Sequence, residues 1–224
     1  MREPLAQRTT RAQAERVRGV LLIPVGSCEQ HGPHLPLGTD SIIAETICAD
    51  VMANHDVDVA PTVPFSASGE HEGFAGLLSI GTETTAAVLT ELVRSARASW
   101  SGVIIISGHG GNADALARVA RVAQHEGDKV AVWLPTDEEG DPHAGASETS
   151  VMMTIQPFAV GELPEGVDLT SDWVTRVREG GMRAVSESGV LGHPRRATVE
   201  EGWRLRRRWC GEVEELIRQL RGEL

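Results

Sequence analysis

The 224-residue chain contains no tyrosine, and phenylalanine and tryptophan together make up only 4% of it. Without a phenol, any acid, base or oxyanion donor must be histidine, carboxylate, backbone amide or metal. Cysteine is also scarce. Cys28, Cys48 and Cys210 are odd in number and widely spaced, which offers neither a disulfide framework nor a CxxC zinc pattern and suits a reducing cytosol. No apolar run approaches a membrane span. Residues 1 to 18 carry five arginines interrupted by Glu3 and Glu15, with no apolar centre of signal-peptide length. That segment reads as a flexible or partner-contacting start to a single domain spanning 1–224. Basic residues are in deficit, 21 against 32 acidic ones, and the resulting charge of −11 opposes binding to nucleic acid.

What the chain does contain is 24 glycines and 41% hydrophobic residues, a composition that suits an α/β protein with many tight strand-to-helix turns. Short apolar runs at 21 to 26, 102 to 108 and 129 to 135 read as buried strands, and 57 to 65 reads as extended. Helical patterns occupy 41 to 55, with Asp40 as a possible N-cap, then 82 to 100, a stretch from Asn112, 147 to 156, 171 to 185 and the C-terminal stretch from 199. This alternation predicts a largely parallel sheet covered by helices on both faces.

Ligands of such sheets lie beyond the carboxyl ends of the strands, and the chemistry-bearing residues of this chain cluster there. The first strand leads into Glu29 and His31, within GSCEQHGPHLPLGTD, which also holds His34 and Asp40. The second long apolar strand leads into His109, and the last into His143 and Glu148. Residues two apart on an extended chain share a face, so Glu29 and His31 converge, whereas Cys28 points away as a packed thiol. Imidazoles and carboxylates suit a borderline divalent metal, and a pair of ions needs a bridging carboxylate plus terminal ligands. Glu29, His31, Asp40, His109 and Glu148 make such a set for zinc, iron(II) or manganese, with Asp40 as the expected bridge. Glu148 alternatively favours the first turn of its helix through the dipole.

His143, in DPHAG, reads as a general acid/base or a donor to the developing oxyanion beside the metals, or as a loop histidine bonded to Asp141. Gly110 and Gly111 permit close backbone approach to a ligand or serve a tight turn. Glu70, His71 and Glu72 lie in a glycine-rich loop at 66 to 76 and either contact substrate or form a solvated face. Among the arginines at 195, 196, 204 and 206 to 208, Arg195 and Arg196 are the better candidates to bind a substrate carboxylate, because they lie in a loop; the alternative is a solvated or salt-bridged surface.

In order along the chain, EQHGPHLPLGTD, GEHEGFAG, SGHGGN, DPHAGASETS and GVLGHPRRATVEEG resemble the motifs of the creatininase family of metal-dependent amidohydrolases, over roughly residues 20 to 205. The resemblance implies a three-layer α/β/α fold, a two-metal site and a homo-oligomer, often a hexamer built as a trimer of dimers. It places Glu29, His31, Asp40 and His109 on metal ligands and His143 on the catalytic histidine. Two departures stand out. Gly111 lies where creatininase itself has a ligating glutamate, with Glu148 the expected substitute, and Glu139 lies where it has a substrate-contacting tryptophan. A longer or cationic substrate is therefore expected rather than a small cyclic urea-like one.

Within the family, the EQHGPHLPLGTD opening, the ASGEHEGFAG loop, the length and the Arg- and Ala-rich composition most resemble the mycofactocin-system branch. That implies a cytoplasmic peptidase in which a metal-bound hydroxide attacks an amide carbonyl to release the C-terminal Val-Tyr dipeptide of a modified precursor peptide. Alternatives are a creatininase-type small cyclic amide or formamide amidohydrolase, and a non-catalytic metal-binding partner in a biosynthetic assembly.

Overall fold

The computed structural model describes residues 3–135 and 140–223. Strands β1 (Val20–Val25), β2 (Val57–Val59), β3 (Gly102–Ser107) and β4 (Val130–Trp133) form an all-parallel sheet in the order β2-β1-β3-β4. The helices are α1 (Thr10–Ala14), α2 (Thr39–Asn54), α3 (Gly81–Ala96), α4 (Ala113–Glu126), α5 (Ala146–Ile155), α6 (Trp173–Gly180) and α7 (Val199–Arg221).

β1 and β3 are buried along their whole length, which is why both read as continuous apolar runs without alternation. Their side chains nevertheless divide by parity. Val20, Leu22, Ile104 and Ile106 pack with α2, α5 and α7 on one face, while Leu21, Ile23, Val25, Val103 and Ile105 pack with α3 and α4 on the other. The result is a three-layer α/β/α sandwich. In α7, Leu205, Trp209, Val213 and Ile217 recur every fourth residue and form its buried stripe. Thr198 caps the start of that helix by accepting from the Glu201 N–H, and Gly222 ends it in the left-handed conformation.

The extended segment expected at 57 to 65 is a strand only as far as Val59, because Pro61 and Pro64 have no N–H to donate to a ladder. Val63 regains a single bridge to Val25. The helix expected at 171 to 185 stops at Gly180, followed by Gly181 with φ of 70° and a short 3₁₀ turn. Asp40 is not the N-cap of α2: Gly38 takes that position and Asp40 lies inside the first turn. Near the N-terminus, Arg8 and Gln13 converge on the buried carboxylate of Asp58 at 2.6 and 3.2 Å, and the Trp100 indole N–H donates to it at 2.9 Å. The TDEEGD loop falls largely outside the described residues, and so does Glu139.

Two glycines decide how near α2 comes to the sheet. A Cβ on Gly26 would lie 2.4 Å from the Ser41 backbone nitrogen, and one on Gly108 would lie 2.2 Å from the Asp40 carbonyl oxygen. Only bare backbone at the ends of β1 and β3 allows the first turn of α2 to sit there. Gly108→Ala is therefore expected to destabilise the protein by about 1–3 kcal/mol in urea unfolding, since backbone must shift to relieve the overlap. The same substitution should displace Asp40 and lower metal retention.

Candidate active site

β1 and β3 are neighbours whose connections leave in opposite directions, β1 toward β2 and β3 toward β4. The carboxyl ends of the two strands therefore flank a topological switch point, where a crevice opens. Into it come Glu29, Gln30 and His31 from the loop after β1, Asp40 from the first turn of α2, and His109 from the end of β3. His143 from the segment before α5, Glu148 from the first turn of α5, and Glu70 and His71 from a 3₁₀ turn (Gly69–His71) complete the set.

Glu29 is fully buried. Its Oε1 lies 3.1 Å from His71 Nε2, 3.1 Å from His109 Nδ1 and 3.8 Å from His143 Nδ1. None of these approaches lines up as a hydrogen bond, and neither carboxylate oxygen has such a partner. Asp40 Oδ1 lies 3.1 Å from His31 Nε2; its Oδ2 accepts from the Ser27 hydroxyl at 2.7 Å and lies 3.5 Å from His109 Nδ1. Glu148 Oε2 is 4.0 Å from His31 Nε2 and accepts the Ala144 N–H at 2.6 Å. Ala144 has φ of 50°, the one positive value at a non-glycine position among the described residues, and this conformation turns its N–H toward Glu148.

Each of three histidines has one ring nitrogen on a backbone carbonyl and the other facing the carboxylates. His31 Nδ1 is 3.3 Å from the Glu29 carbonyl, His109 Nε2 is 2.9 Å from that of Ala67, and His143 Nε2 is 2.8 Å from that of Gln30. A ligating histidine commonly donates its outer N–H in this way. Potential ligand atoms within 4.8 Å of one another form three overlapping groups: Glu29, His71 and His143; His31, His143 and Glu148; and Glu29, His31 and Asp40. A buried carboxylate without a hydrogen-bond donor, ringed by oriented imidazoles, fits a divalent cation.

The electrostatics agree. Burial alone would raise the Glu29 carboxyl, but the neighbouring His109 and His71 outweigh it and hold it well below the usual range. Burial works against a charged His31, yet Asp40 and Glu148 raise that imidazole to about 10. His109 is likewise held well above its ordinary value by Glu29, against its own burial. Burial and the charge of His31 push His143 down to about 3, which leaves a neutral ring. Glu148 rises to about 7 through burial, against the pull of His31 and with repulsion from Asp40.

The family model for creatininase, described as creatinine amidohydrolase, matches residues 6–217. The chain belongs to the creatininase family. It is 44% identical to the mycofactocin precursor peptide peptidase of Mycolicibacterium smegmatis, with 88% of this chain and 83% of that protein covered. It is 40% identical to the protein of the same name from Mycobacterium tuberculosis strain CDC 1551, covering 94% and 88%. A solved variant creatininase of the Zn-Zn type shares the fold with a TM-score of 0.82, at 21% identity and 96% coverage of both chains.

In this creatininase-family site, Glu29, His31, Asp40, His109, His143 and Glu148 come together. His71 joins them from the loop read as a substrate contact, buried against Glu29. Glu70 Oε1 stands 3.3 Å from His109 Nε2, where a Cβ at Gly111 would meet it at 2.1 Å. The side chain beside Gly111 is thus Glu70, whereas Glu148 addresses His31. Asp141 does not bond to His143; it accepts the Ala146 and His193 backbone N–H groups at 2.7 Å each. Arg195 is exposed and paired with Glu165 and the Leu163 carbonyl, and Arg196 is exposed beside it.

Gln30 carries no charge and gave no chemical signal in the sequence, yet its carboxamide touches both His71 and His143, at 2.9 and 3.0 Å. Its position between Glu29 and His31 is the only clue to it. Beside Glu148 lies a cavity of about 430 Å³ walled by Ile43, Leu169, Trp173 and Trp209. Loss of an outer-shell partner alone costs about 10–100-fold in metal affinity. Glu29→Gln is expected to cost at least that, with the fold retained, as read by elemental analysis after dialysis and by circular dichroism.

Proposed function

We propose that this creatininase-family chain is a metal-dependent peptidase that removes the C-terminal Val-Tyr dipeptide from the modified mycofactocin precursor peptide. The observation that carries this reading is the 44% and 40% identity, over 88% and 94% of the chain, to proteins named for that peptidase activity. Glu29, His31, Asp40, His109 and Glu148 would hold two divalent cations, zinc or iron(II), with manganese also suited to the donor set. When bound, such ions lower the pKa of water toward about 7 and polarise an amide carbonyl.

The protein's own groups do the rest. His143 is neutral and faces the carboxylates with Nδ1, so it can take the proton of the attacking water and pass it to the leaving amine. The cavity walled by Trp173 and Leu169 supports binding of an apolar, aromatic leaving segment. Exposed Phe158, Leu78 and Trp203 support assembly into a homo-oligomer, for which a hexamer is the family precedent. No helix among the described residues is long and apolar enough to cross a membrane, and we place the enzyme in the cytoplasm.

The test is mass spectrometry of a mixture of metal-loaded protein, modified precursor peptide and creatinine, with an EDTA-treated control. Release of the dipeptide, abolished by EDTA, is expected; conversion of creatinine with the peptide left intact would overturn the peptide reading. His143→Ala should lower kcat by about 10²–10⁴-fold. Trp173→Ala should raise KM for the Tyr-ending peptide with less effect on one ending in alanine, and equal KM changes for both would remove Trp173 from the subsite.

A further inference from the structure

Gln30 is buried at the centre of the histidine cluster, and the direction of each of its hydrogen bonds can be deduced. Its Oε1 accepts the Gly32 backbone N–H at 2.8 Å, and its Nε2 lies 3.1 Å from the Gly189 carbonyl oxygen. Both partners are backbone groups of fixed sense, so the carboxamide has one orientation. The amide nitrogen has two hydrogens and three neighbours: the Gly189 carbonyl, His71 Nδ1 at 2.9 Å and His143 Nε2 at 3.0 Å.

The backbone carbonyl of Gln30 itself breaks the tie. It lies 2.8 Å from His143 Nε2 and can only accept, so that nitrogen carries a proton and cannot also accept from the amide. The two amide hydrogens therefore go to Gly189 and to His71 Nδ1. His143 is left with a bare Nδ1 toward Glu29, at 3.8 Å, and His71 with a protonated Nε2 toward the same oxygen, at 3.1 Å.

We propose that Gln30 is a positioning residue that fixes how its two histidines face the Glu29 carboxylate, His143 with a bare Nδ1 and His71 with a protonated Nε2. The side chain assigns His71, and the main chain of the same residue assigns His143. This rests on the hydrolytic reading of the site, in which His143 Nδ1 receives one proton from water and surrenders it to the leaving amine. His71 is not consumed; its Nε2–H stays turned toward the Glu29 carboxylate, 3.1 Å away.

The experiment uses zinc-loaded protein carrying [¹⁵N]histidine, with ring-nitrogen NMR of the wild type, Gln30→Glu and Gln30→Met, alongside zinc content and peptide-cleavage kinetics. The wild type should show both His71 and His143 protonated at Nε2. A glutamate at position 30 offers acceptors only, so His71 should become protonated at Nδ1 while His143, held by the main chain, stays as it was. With zinc content and KM retained, kcat of Gln30→Glu should fall by about 10–100-fold, the size of a lost outer-shell contact. Gln30→Met should relax the preference of His71 without reversing it.

A wild-type His71 protonated at Nδ1 would overturn the proposal. So would a reversed tautomer with unchanged kcat, or a loss of kcat that merely follows loss of zinc. The wild-type spectra need neither the variants nor a substrate, so a wrong assignment of the peptide would leave this result standing and show itself only as absent cleavage.

Discussion

The site is organised by a single carboxylate, that of Glu29, taken wholly out of water and given no hydrogen-bond donor of good geometry. Burying a charge costs several kcal/mol unless positive charge or donors answer it. The answer here is a shell of imidazoles at 3.1 to 3.8 Å, brought from segments far apart in the chain. Each imidazole is in turn anchored at its far nitrogen, His109 and His143 on backbone carbonyls and His71 on the Gln30 carboxamide. Hydrogen bonds made at the rear of the rings thus decide which nitrogen faces the cluster, and a cation bound there would meet donors already oriented.

The fold makes this concentration of charge possible by bringing backbones very close. Parallel strands β1 and β3 run in register from Val20 opposite Gly102 to Val25 opposite Ser107, so their ends open at one level. Gly26 and Gly108 then admit the first turn of α2, which carries Asp40 into the crevice. Asn112 cross-braces the far side: its Oδ1 accepts the Ala67 N–H, and its Nδ2 donates to Ser107 Oγ. That brace fixes the loop bearing Glu70 and His71 against the end of β3, and the Ala67 carbonyl in the same loop anchors His109. Mutations in these glycines and amides would act on chemistry without touching a ligand.

Local physics made much of this visible in advance. Uninterrupted apolar runs marked the buried central strands because both their faces are covered, and helical patterning marked the C-terminal stretch that forms α7. Histidines and carboxylates placed just after strand ends pointed to a shared crevice, since parallel strands end on one side. Less was legible where two local preferences compete. Asp40 looked like a cap because aspartate favours that position, but Gly38 begins the helix and leaves the carboxylate of Asp40 to His31 and Ser27. The extended stretch after Val57 was shortened by prolines whose missing donors matter only when a neighbouring strand asks for them.

By itself, the sequence determined the α/β class, the parallel order implied by alternating elements and the segments from which the site is drawn, because hydrophobic period and turn chemistry are local properties. Only the tertiary structure decided that His71 belongs with Glu29, that Glu70 rather than Glu148 stands beside Gly111, and that uncharged Gln30 lies between two imidazoles. Those facts depend on distances between residues some forty to over a hundred positions apart, and on which way a ring nitrogen points once a carbonyl has claimed the other. No periodicity along a chain encodes such relations; the packing of loops over the ends of β1 and β3 creates them.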